Sequence, residues 1–160
     1  MTQPDFNGLE THTFLKQAFT KEAGISSRYL YFAKIAEIEG SPETAQVFRD
    51  LAESSVCNAH GSLDFLKRVG DPDTDLAIGE TERNLMSAIA SETKEYLELY
   101  PKMQEAAKDE GFPDIANWLQ TLTKLKKVHV EKLTMALTQF NQLHIGDKRR
   151  TPEHLPHPQI

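Results

Sequence analysis

The sequence predicts an all-α protein, an antiparallel four-helix bundle. Apolar residues recur every three or four positions along four long stretches, and no run alternates strictly as a half-buried strand would. Helix punctuation falls between those stretches: Gly40 precedes Pro42, and Gly111 precedes Pro113. The joints are short, which is what antiparallel neighbours need.

The first helix is predicted over residues 11–39, where Gly40 stops it. Ser41 and Pro42 then supply an N-cap and a first-turn proline for a second helix over 42–68. The acidic stretch Asp71, Pro72, Asp73, Thr74, Asp75 reads as a solvated linker. A third helix spans 81–111 with a bend at Pro101, and a fourth spans 113–146. Residues 147–160 hold three prolines and no periodicity, so the bundle is assigned to 1–146 and the rest to a flexible tail.

The chain has 160 residues, one domain's worth, with 18 basic and 24 acidic residues and a formal net charge of −6. That balance argues against nucleic acid or an anionic membrane as a partner. Cys57 is the single cysteine, which rules out an intrachain disulfide and a CxxC metal knuckle. With no apolar run of about 18 residues and no leader pattern, the expected location is cytoplasmic.

The apolar stripes carry polar groups midway along each helix. The inward positions read Phe14, Ala18, Glu22, Ile25, Tyr29 and Phe32 on the first helix, and Phe48, Leu51, Ser55, Asn58, Ser62 and Phe65 on the second. They read Leu85, Ile89, Glu92, Tyr96, Leu99 and Met103 on the third, with Glu95 at the edge. The fourth gives Ile115, Trp118, Leu122, Lys126, His129, Leu133 and Phe140. Glu92 and Glu95 share one helix face at i and i+3, and so do Lys126 and His129. Buried carboxylates cost several kcal/mol unless paired or coordinated, so three in one layer call for an explanation.

Several runs are familiar. Ala18-Phe19-Thr20-Lys21-Glu22 and Arg28-Tyr29-Leu30-Tyr31-Phe32, then Glu92-Thr93-Lys94-Glu95-Tyr96, Tyr100-Pro101 and Asp109-Glu110-Gly111-Phe112, occur in order and at matching spacing. Over residues 11–140 the chain resembles the rubrerythrins of the ferritin-like superfamily. The resemblance implies a dimetal site that reduces hydrogen peroxide. Its ligands would be one glutamate on the first helix, Glu-x-x-His on the second, Glu-x-x-Glu on the third and Glu-x-x-His on the fourth. Glu22, Glu92, Glu95 and His129 match that pattern. Ser55 and Asn58 replace the second-helix pair, and Lys126 replaces the fourth-helix glutamate. Both carboxylates that bridge the metals in the family are thereby lost. The paired CxxC motifs of a rubredoxin domain do not occur in these residues either. Tyr29 and Tyr100 match tyrosines beside the metal layer, where a phenol would hydrogen-bond a carboxylate.

Three readings compete. In the first, the layer is metal-free or metal-poor: the Lys126 ammonium takes the place of a metal, pairing with Glu22 and a third-helix carboxylate, and the protein acts through partner binding. In the second, Glu92, Glu95 and His129 hold one divalent ion, with Glu22 nearby; iron or manganese suits that donor set, and zinc is compatible. In the third, the chain is a rubrerythrin-type peroxide-reducing oxidoreductase served by an external electron donor. A full diiron centre is not expected, because one divalent ion already balances the charge of the layer. An ammonium at about 4 Å also repels a metal by several kcal/mol at an effective dielectric of about 20. The resemblance further implies a homodimer.

Weaker signals read as surface chemistry. Asp50, Cys57 and His60 fall on flanking or solvated faces. Asp71, Asp73, Asp75 and Glu82 echo a calcium loop, but Leu76 stands where its turn needs glycine. His144, His154 and His157 belong to a polar C-terminal stretch, and Lys124 and Lys127 face solvent while Lys126 does not.

Overall fold

The computed structural model describes residues 4–148, with side chains to residue 145. The helices are α1 (Glu10–Ile38), α2 (Pro42–Leu66), α3 (Thr81–Lys94), α4 (Tyr100–Asp109) and α5 (Pro113–Lys148). A π-helical turn, Glu95–Leu99, joins α3 to α4. The expected third helix is therefore α3 and α4 together, and no strand occurs among the described residues. α5 ends at Lys148, so the first two residues assigned to the tail are helical. The rest of that tail, with His154 and His157, lies outside the described residues.

The chain divides into two compact units, residues 1–77 and 78–160. In the first, α1 packs along α2; in the second, α3 and α4 pack along α5. Both helical hairpins turn on the same chemistry. Gly40 and Gly111 adopt φ of +78° and +83°, the left-handed conformation that ends a helix without a Cβ clash. Ser41 N–H then reaches back to Ala36 O at 2.8 Å, and Phe112 N–H to Ala107 O at 2.8 Å. Pro42 and Pro113 start the return helices, where a missing amide costs nothing. Ser41 sits at the N-cap position but makes no side-chain cap bond, contrary to expectation.

The most deeply buried side chains are small. Ser26, Ala33 and Ala36 are buried on α1 and Ala45, Ala52, Ser55, Ala59 and Leu66 on α2, with Ala33, Ala36 and Ala45 in one cluster against which Phe48 packs. Ser87, Ala107 and Ala116 take that role in the second hairpin. This corrects the expected core, which was built from the large apolar stripes. Small residues let the two backbones of a hairpin approach along the seam between its helices, and the bulky stripe falls outside that seam. Phe14, Leu51 and Phe65 are consequently exposed in the first hairpin, and Met103, Ile115 and Trp118 in the second.

The bend expected at Pro101 takes the form of the π turn just before it. Proline cannot donate to the carbonyl four residues back, and Tyr100 N–H bonds Glu95 O, five residues back.

The acidic linker is also more ordered than a solvated loop. Asp71 Oδ1 accepts from Asp73 N–H at 2.7 Å, Asp71 N–H donates to Leu76 O at 2.8 Å, and Asp75 N–H donates to Asp71 O at 2.9 Å. Lys16 of α1 then pins the turn through a 2.9 Å ion pair with Asp75.

Candidate functional site

In the second hairpin, α3 presents Glu92, the first residue of the π turn is Glu95, and α5 presents Lys126 and His129 one turn apart. The four side chains converge. Lys126 Nζ lies 2.8 Å from Glu95 Oε2 and 3.4 Å from Glu92 Oε1. His129 Nδ1 lies 2.9 Å from Glu92 Oε2. A carboxylate only accepts, so Nδ1 carries the proton in that bond and Nε2 of a neutral ring is left bare. Ser91 Oγ reaches Glu95 Oε1 at 3.5 Å.

The side chains of Lys126, Glu92 and Glu95 are each about three-quarters buried, at 23%, 22% and 25% exposure. Burial pulls the lysine pKa down, but hydrogen bonds and charge from Glu95, then Glu92, outweigh it, and the net direction is up from the ordinary 10.5. The ammonium is thus held charged at neutral pH.

In the first hairpin, Glu22 accepts a 3.3 Å hydrogen bond from Asn58 Nδ2. Ser55, at which the resemblance would expect a bridging glutamate, is buried on α2. The expectation that Lys126 pairs with one third-helix carboxylate is too narrow, since it pairs with both. Tyr29 packs in an aromatic cluster, 5.6 Å from Phe48 and 6.1 Å from Phe32 between ring centroids. Tyr100 is half-buried where α4 starts. Asp50, Cys57, His60, Lys124 and Lys127 are exposed, as expected of flanking faces.

The Rubrerythrin family model matches residues 13–137. The chain belongs to the rubrerythrin family. It is 34% identical to a rubrerythrin of Porphyromonas gingivalis over 134 residues, covering 81% of this chain and 66% of that one. It is 26% identical to rubrerythrin-1 of Clostridium acetobutylicum over 149 residues, covering 88% and 76% respectively. It is 28% identical to a rubrerythrin of Nitratidesulfovibrio vulgaris over 130 residues, covering 78% and 68%. The chain thus spans just under two thirds of the first of these relatives. Membership brings the fold class with it, all-α and ferritin-like with four long helices. No helix among the described residues is long and apolar enough to cross a membrane.

The resemblance to rubrerythrins implies a dimetal centre that would draw on Glu92, Glu95 and His129 of this hairpin. Glu92 and Glu95, the carboxylates left on the third helix, already share an ammonium. The pairing of Lys126 with a third-helix carboxylate was legible in the sequence. The π turn that presents Glu95 was not, although Pro101 was the signal for it.

Proposed function

We propose that this chain is a rubrerythrin-family protein that works without a dimetal centre, the Lys126 ammonium standing in the metal layer, and that it acts by binding protein partners, beginning with a second copy of itself. The observation that carries this reading is the placement of Lys126 Nζ within 3.4 Å of both Glu92 and Glu95. A fixed ammonium supplies the positive charge that a divalent ion would otherwise bring, with no coordination geometry and no redox chemistry. Such a network sets helix register more reliably than it adds stability. Large exposed apolar side chains on each hairpin, with Phe14 at 55% and Trp118 at 59% exposure, support a role in association.

The test is Lys126→Glu, which restores one bridging carboxylate and removes the competing cation. Iron or manganese bound per chain is expected to rise above the level in the unaltered protein. Equal metal content in the two proteins would overturn the assignment of Lys126 to the metal layer.

One observation favours a second reading, a single-metal site of Glu92, Glu95 and His129. Glu92 already contacts His129, and that imidazole is 47% exposed with Nε2 uncommitted. For this reading the lysine must swing out, and a divalent ion must bind to the unaltered protein.

A further inference from the structure

Away from the ion-pair network, residues 4–9 lie as a strap over the end of the first hairpin where α1 begins and α2 finishes. Arg68 holds the strap, donating through Nη2 to Pro4 O at 2.8 Å and stacking its guanidinium 4.9 Å from the Phe6 ring centroid. Phe6 meets the His12 ring edge-on, 6.1 Å between centroids. The strap enters α1 through Gly8, whose N–H donates to His12 Nδ1 at 3.2 Å. A cavity of about 270 Å³ lies under it, lined by Asp5, Phe6, Asn7, Arg68 and Val69.

The Gly8 bond dictates the state of His12. Nδ1 accepts, so it carries no proton, and the proton sits on Nε2, which is sealed from solvent without a hydrogen-bond partner. We propose that His12 is an acid-sensitive latch: a proton on Nδ1 turns the acceptor into a donor facing the Gly8 N–H, and the strap lets go of α1. The reasoning is geometric, since two N–H groups cannot share one hydrogen bond.

The charged groups around the latch are consistent with it. Asp75, at the end of the linker turn, is held below its ordinary pKa by the hydrogen bond and charge of Lys16, and it is near enough to His12 to give a cationic ring an anion once it forms. Lys16 is spoken for by Asp75 at 2.9 Å, and Arg68 by Pro4 and Phe6. Asp5 accepts from Asn7 N–H within the strap. The strap-closed form therefore binds one proton fewer than the open form, which makes closure favourable at higher pH and lost as pH falls.

The experiment is two-dimensional NMR on the full chain, titrated from about pH 8 to about pH 5, across the range where imidazoles change charge. The Gly8 amide shift is expected to move in step with the His12 ring protons. The nuclear Overhauser contact between the Phe6 and His12 rings is expected at the upper pH and lost at the lower, with helical ellipticity unchanged. In His12→Asn the amide oxygen can accept from Gly8 without titrating, so the Gly8 shift should stay flat. A pH-independent Gly8 shift in the unaltered protein, or the same transition in His12→Asn, overturns the latch. So does a parallel loss of helix.

Discussion

Lys126 Nζ sits 2.8 Å from Glu95 Oε2 across the seam of the second hairpin, and the same ammonium reaches Glu92 at 3.4 Å. Removing the cation leaves two carboxylates about three-quarters buried with no charge between them. Lys126→Met is accordingly expected to lower unfolding stability by about 1–3 kcal/mol, less than for a fully buried pair because water still reaches the group. Urea denaturation should show a lower midpoint at an unchanged slope. A midpoint equal to the unaltered protein's would mean that the pair contributes nothing.

The same pair sets an alkaline limit. The folded-state pKa of Lys126 is raised, because Glu95 and Glu92 overcome the burial that pulls it down. Its contribution is therefore complete below the ordinary value of 10.5 and fades as pH rises through the higher folded value. The stability gap between the unaltered protein and Lys126→Met should be full near about pH 8 and narrow above about pH 11. Comparing the two proteins cancels the other lysines and tyrosines that titrate there.

Two glycines make opposite predictions. Gly70 has φ +144°, and a Cβ there would stand 2.7 Å from Asp75 O, a backbone atom of the linker turn. Gly70→Ala is expected to cost about 1–3 kcal/mol. Gly61 lies within α2 with nothing within 4 Å of an added Cβ. Gly61→Ala should stabilise by about 0.5–1 kcal/mol, since alanine gives up less chain entropy in a helix. Thermal melts of the pair read both signs at once.

The α1–α2 seam predicts intolerance of bulk. Ala45 and Ala52 of α2 are 0% and 1% exposed, and Ala45 clusters with Ala33 and Ala36 of α1. Ala52→Leu adds three carbons at a fully buried site, and about 1–3 kcal/mol of destabilisation is expected from overpacking. Leu51→Ala, at an exposed position one residue earlier, should cost the first hairpin less. Denaturation of the two variants side by side ranks the buried site against the exposed one.

Much of this was legible in the sequence, for identifiable reasons. The glycine–X–proline joints at 40–42 and 111–113 are local chemistry, so both hairpin turns could be placed from residues alone. Lys126 could be expected beside a third-helix carboxylate because Glu92 and Glu95 share one face at i and i+3, as do Lys126 and His129. Periodicity could not tell the seam from the bulky stripe outside it. Ser26 and Ala33 lie on the same broad apolar side as Glu22 and Phe32, and their small size, rather than their hydrophobicity, puts them between the helices. Nor could it foresee the π turn at Glu95, which answers to Pro101 six residues later, or the turn that Asp71 closes on Leu76.

The most direct test of the account is a metal count. The protein would be purified from cells supplied with iron and manganese, and its metal per chain measured by mass spectrometry alongside helical ellipticity. The Lys126 reading predicts a folded, helical protein with essentially no bound metal. A stoichiometry of one or two metal ions per chain would contradict it and return Glu92, Glu95 and His129 to service as ligands.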